Sequence, residues 1–148
     1  MAKSQRFTTR KEIRNAIADA LRGETIVENR VFPNRTIPVG IEELPVILVY
    51  PSAEDYTVLS KIPMIHRRDL TVSIQIIASD SSEETMSDLL DQIAEEVEVA
   101  IENSDKLGGI VHDINIDTGA ATLAGEGQKP EGSWVLNYNV TYIKKPKE

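Results

Sequence analysis

Between residues 81 and 103 the apolar side chains Met86, Leu89, Leu90, Ile93, Ala94, Val97 and Ile101 recur at intervals of three and four. That spacing gathers them into one stripe of an α-helix. At about 1.5 Å per residue the helix runs roughly 30 Å, the width of a small domain. Asp80 or Ser81 stands where its cap belongs, with Glu83 or Glu84 three residues on. A shorter helix is predicted over 9–21. Thr9-Arg10-Lys11-Glu12 reads as a capping box, and Ile13, Ala16, Ile17, Ala20 and Leu21 keep the helical period until Gly23 stops it.

Elsewhere the period is two, or the apolar run is unbroken. Residues 69–78 alternate, with Leu70, Val72, Ile74 and Ile76 on one side and Thr71, Ser73 and Gln75 on the other. Over 133–143, Trp134, Leu136, Tyr138, Val140 and Tyr142 oppose Asn137, Asn139 and Thr141; residues 110–117 supply another strand. The run 45–51 is aliphatic throughout and bounded by prolines, which suits a strand covered on both sides by its own chain or by a second subunit. A weak signal over 25–32 fits one more short strand, cut off by Pro33 and Pro38.

Two long connections remain. Residues 51–68 carry Tyr56, Val58, Leu59, Ile62, Met64 and Ile65, too apolar for simple disorder. They either extend a hairpin as a twisted arm or bury these side chains, against the same domain or a partner. Residues 118–132 are rich in Gly and Ala and read as a loop, and the charged tail 144–148 reads as frayed. The order helix, strand, strand, helix, strand, strand implies a single α+β domain over 1–148. The expected architecture is a two-layer sandwich: a four- to five-stranded mixed, mainly antiparallel sheet with two helices on one face.

Charge sharpens this picture. The helix at 81–103 bears Glu83, Glu84, Asp88, Asp91, Glu95, Glu96, Glu98 and Glu102 and no Lys or Arg, and these eight carboxylates match the net charge of −8 of the whole chain. Residues 1–22 are basic, with Lys3, Arg6, Arg10, Lys11, Arg14 and Arg22 against Glu12 and Asp19. Such polarity suits docking of one copy onto another. An acidic chain with pI near 4.8 is a poor dedicated nucleic-acid binder. The lack of cysteine excludes disulfides and thiolate chemistry. No apolar run approaches the roughly 18 residues of a membrane span, so a soluble protein, cytosolic at synthesis and without a membrane partner, is expected.

Chemistry is sparse. His66 and His112 fit no metal-ligand spacing. Asp113-Ile-Asn115-Ile-Asp117-Thr-Gly119 echoes the start of a calcium loop, but its Gly falls at the seventh position and Ala124 replaces the bidentate Glu. The period of two instead places the three polar side chains on one strand face, with Ile114 and Ile116 directed to the core. No nucleophile–base pair is readable. The expectation is a non-enzyme without catalytic, metal or cofactor-binding residues.

Several stretches in order carry a family resemblance: the amphipathic first helix, then Leu44-Pro45-Val46-Ile47-Leu48-Val49-Tyr50-Pro51, then Arg68, Leu70, Val72 and Ile74. Leu89, Leu90, Asp91, Ile93, Ala94, Val97, Glu98, Ala100 and Ile101 follow, and last Glu126, Gly127, Pro130, Gly132, Leu136, Tyr138, Val140 and Tyr142. Together they resemble the tail terminator (minor tail protein U-like, tail completion) proteins of long-tailed phages and prophages. The resemblance implies a structural virion protein of the tail, assembled in the host cytoplasm. It would form a ring, typically of about six copies, that caps the head-proximal end of the tail tube. The ring would stop tube polymerisation and meet a head-completion or neck protein, while DNA passes through without specific binding. No cofactor is implied.

The candidate interface residues are Arg10, Arg14, Tyr56, Leu59, Ile62, Met64, Arg67, Arg68, Glu95, Glu98, Glu102, Glu126 and Lys129. The acidic helix face reads as a solvated exterior or as the lining of the DNA channel. Two alternatives stand beside this reading. One is another neck subunit, either a head–tail connector or a tail-tube protein; the other is a small intracellular ligand-binding module with the two long connections folded over a pocket.

Overall fold

The computed structural model describes residues 8–36, 44–124 and 131–145. Its elements are α1 (Arg10–Leu21), β1 (Val31–Phe32), β2 (Val46–Lys61), β3 (Met64–Ser79), α2 (Glu83–Asn103), β4 (Asp113–Ala124) and β5 (Glu131–Lys144). The strands form one five-stranded sheet in the order β1-β2-β3-β5-β4. Only the β1–β2 pair is parallel. Both helices lie on one face, giving the expected α+β sandwich.

The helices start where side-chain chemistry allows. Thr9 accepts a hydrogen bond from the Glu12 amide at 3.2 Å, as the capping-box reading requires. For α2 the cap is Ser82, neither Asp80 nor Ser81, and its box partner is Thr85, not a glutamate. The Thr85 hydroxyl reaches back to the Ser82 amide at 3.3 Å, so a hydroxyl performs the task assigned to a carboxylate. At the far end α2 runs into a turn in which Asp105, Lys106 and Leu107 all have positive φ. A left-handed turn costs roughly 1–2 kcal/mol per non-glycine residue. Here Ser104 offsets part of that cost, its carbonyl accepting from the Gly108 amide at 2.8 Å and its hydroxyl from the Leu107 amide at 3.2 Å.

The core lies between the helices and the sheet. Ile13, Ile17 and Leu21 of α1 and Met86, Ile93, Val97 and Ile101 of α2 meet Leu70, Val72, Ile74 and Ile76 of β3 and Leu136, Val140 and Tyr142 of β5. Burying each such side chain contributes about 1.5–3 kcal/mol, which makes this the main source of stability. Val46 to Val49 are all buried, as an unbroken aliphatic run demands. The opposite sheet face is polar. Ser73 Oγ lies 2.7 Å from Asn137 Oδ1 and 3.2 Å from Ser52 Oγ, and Asn137 Nδ2 donates to Thr118 Oγ1 at 3.0 Å. This row crosses four strands.

Of the two forms expected for residues 51–68 the structure shows the extended hairpin: they continue β2 and β3 as a paired arm with its turn at Ile62-Pro63. Two local expectations are corrected. Residues 118–124 belong to β4, paired to β5 as far as Ala124 with Glu131. Ile116 is 46% exposed and does not fill the core, because a register shift between Ile116 and Thr118 interrupts the alternation.

Candidate assembly interface

The hairpin of β2 and β3 outruns the layer that covers it. Glu54 pairs with Leu70, the last core residue of β3 toward the turn, and beyond it the ladder runs from Asp55–Asp69 to Lys61–Met64. Seven residues at about 3.3 Å each make an arm of roughly 23 Å. Along its first half β5 still pairs with β3, as far as His66 with Lys144, so that among the described residues the tip from Leu59 to Ile65 has no third strand. Its apolar side chains lie open: Tyr56, Val58, Leu59 and Met64 are exposed, and Ile62 at the tip is 95% exposed. Pairing of Tyr56 with Arg68 and Val58 with His66 puts those four side chains on the helix-bearing side, past the end of the helices. A cluster of exposed aliphatic groups on a projecting hairpin marks an interaction surface.

The arm is fixed at its base by Glu54, whose side chain is only 5% exposed. Its Oε1 lies 3.2 Å from Arg10 Nη1 of α1 and 3.5 Å from Arg68 Nη1. Its Oε2 accepts from the Tyr142 hydroxyl at 2.6 Å. Arg68 also stacks over the Tyr56 ring at 4.7 Å. Burial and the bond to Glu54 push the Tyr142 hydroxyl up to about 12. On the other side of the hairpin Asp69 accepts from Thr141 at 2.7 Å and from Arg67 Nε at 3.2 Å. Burial works to raise the Asp69 carboxyl, but those hydrogen bonds and the Arg67 charge outweigh it and hold the group below its ordinary value.

The sequence-predicted residues thus divide. Tyr56, Leu59, Ile62 and Met64 are brought together on the arm and are available. Arg10, Arg67 and Arg68 are engaged within the chain. Arg14 is half-buried, with its Nε enclosed and unpartnered among the described residues. Glu95 lines an open groove between α1 and α2. Glu98 and Glu102 line a different one, between α2 and the start of β4, where burial first and then these two carboxylates raise the pKa of the Tyr138 hydroxyl. Glu126 and Lys129 lie outside the described residues.

Two residues escaped the sequence reading. Glu54, in a stretch without an alternating pattern, gave no sign that it would anchor the arm. Val99, half-exposed beside the first groove, carried a readable signal: it is an aliphatic residue off the apolar stripe of α2.

Among the described residues no three His, Asp or Glu side chains converge as metal ligands. Asp113 is occupied by the Asn115 amide at 2.9 Å and by the Ile114 amide at 3.0 Å. No helix among those residues is long and apolar enough to cross a membrane.

A chain of the native gene transfer agent virion shares 15% identity with this one at a TM-score of 0.49, over 87% of this chain and 94% of that one. No curated protein sequence matches significantly. The model of the family described as phage minor tail protein U matches residues 8–142, which takes in every element from α1 through most of β5. The chain belongs to the phage minor tail protein U family and is a structural protein of a phage tail.

Proposed function

We propose that this protein is a tail terminator: a ring of copies, typically about six, that caps the head-proximal end of the tail tube and offers the surface to which the neck joins. Its role is structural and not catalytic, and assembly takes place in the host cytoplasm before the ring becomes part of the virion. The observation that supports this reading best is the arm. A monomer working alone has no use for a projecting hairpin with Ile62 almost wholly in solvent, whereas a subunit seated among copies has neighbours to cover it. The open, polar sheet face and the two open grooves offer further contact surface, and neither groove is an enclosed ligand cavity of the sort a small-molecule binding module needs.

The test is to add purified protein to polymerising tail tubes. A terminator shortens the length distribution and appears by negative-stain microscopy as a ring at one end only. If tubes grow longer with the protein incorporated along them, it is a tube subunit. Tubes of unchanged length with no bound ring would remove the capping role.

A further inference from the structure

Building on the ring reading, we infer that the arm tip of one copy seats in the groove between α1 and α2 of the next copy. The tip is apolar and basic. Residues 56–68 contain Lys61, Arg67 and Arg68 and no carboxylate, and since Arg67 and Arg68 are held by Asp69 and Glu54, Lys61 is the exposed cation beside Ile62. The groove is the complement. Among the described residues Asp19, Glu24, Glu95 and Glu96 line it without a Lys or Arg, over a floor of Ala20, Val99 and Ala100. Asp19 is already paired with Arg22 at 2.6 Å and Glu96 with the Ile26 amide at 3.0 Å, which leaves Glu24 and Glu95 to meet an incoming ammonium.

Apolar groups match as well. Val99 in the groove is 49% exposed and Ile26, whose amide bonds Glu96, is 39% exposed, so an inserted Ile62 finds aliphatic surface that is otherwise wet. With a volume of about 770 Å³ the groove has room for several side chains. The second groove, of about 340 Å³, is less suitable: it is smaller, and although Glu98, Glu102, Asp105 and Asp113 line it, Lys106 stands among them and Asp113 is already held by Asn115. Arm and groove of the same copy are both open, so the contact joins different surfaces of successive copies. Such heterologous contacts build a ring when the rotation between copies closes.

The chain has no cysteine, which permits a direct test. Full-length Ile62→Cys and Val99→Cys proteins, each altered at a solvent-exposed position, are mixed on tail tubes under mild oxidation. A third protein, Ile116→Cys, reports on the other groove. The expected result is a disulfide-linked dimer from the Ile62→Cys and Val99→Cys mixture and little from Ile62→Cys with Ile116→Cys. In parallel, Lys61→Glu should weaken association by at least tenfold, and mixing with Glu95→Lys protein should restore part of it. Rings that form with no Ile62→Cys to Val99→Cys link, or with the link to Ile116→Cys instead, would overturn the arm-in-groove contact and leave the ring intact. Failure of unaltered protein to associate on tubes or in solution would instead remove the ring reading, and this contact with it.

Discussion

At the scale of single residues, Glu54 carries more of the arm than any aliphatic side chain does. It is almost fully buried, and three groups converge on its carboxylate: Arg10, Arg68 and Tyr142. Removing one member of a buried charge cluster leaves its partners desolvated and unpaired, which costs about 3–5 kcal/mol, whereas a largely exposed pair contributes roughly 0–1 kcal/mol. Glu54→Ala should therefore destabilise the fold by about 3 kcal/mol, and Arg10→Ala, at a side chain 55% exposed, by about 1 kcal/mol at most; thermal melts compare the two. The same neighbourhood contributes to the pH dependence of stability at both ends. Tyr142 ionises at about 12 in the fold against an ordinary 10, so the neutral phenol it favours contributes stability that is complete below pH 10 and lost as pH rises toward 12. Asp69 has the opposite sign. Its lowered pKa contributes stability that is complete above the ordinary 3.8 and lost on acidification. Denaturant midpoints measured across pH should fall at both ends, with Asp69→Asn flattening the acid limb and Tyr142→Phe the alkaline one.

At the scale of elements, β4 shows how tertiary pairing overrides local composition. Thr118-Gly119-Ala120-Ala121 has the small residues of a loop, yet it forms a strand because β5 supplies a complete antiparallel partner and Trp134 needs a flat seat. A Cβ built on Gly119 would stand 3.0 Å from the Trp134 ring. Gly119→Val should push the indole aside at a cost of about 1–3 kcal/mol. Since Trp134 is the only tryptophan, its emission reports the displacement directly. An unchanged spectrum would mean that the ring does not rest on this glycine. What was legible in advance follows from the same logic. Both helices, β3 and β5 each have one face on the core, and burial of one face writes a period into the sequence. The arm has no covered face, and the register shift between Val58 and Ser60 throws Leu59 out of phase, so its strands carry no period to read. The site residues divided similarly. Exposed aliphatic groups such as Ile62 stood out by composition, but which arginines remain free depends on Glu54, a contact 44 residues from Arg10 in the chain.

At the scale of the whole molecule, the charge of −8 poses a problem that assembly has to solve, because every copy repels every other at long range. Attraction is local, between the Lys61 tip and the Glu24–Glu95 groove, and the two effects screen over different distances. At 0.01 M salt the Debye length is about 30 Å, so the full charges of approaching subunits are felt and association is suppressed. Near 0.1 M it is about 10 Å, comparable to the contact itself; the net repulsion fades while the short-range pair survives. At 1 M it is about 3 Å, and the pair is screened as well, leaving only the aliphatic contact of Ile62. Association followed by light scattering should accordingly rise and then fall with salt, with its maximum near 0.1 M. Lys61→Gln removes the local attraction without touching the aliphatic tip or much of the net charge. Its curve should rise monotonically to the high-salt level of the unaltered protein. A variant curve that keeps the same maximum would place the decisive attraction away from the Lys61 tip, and the carboxylates of α2 would then act as a repelling surface alone.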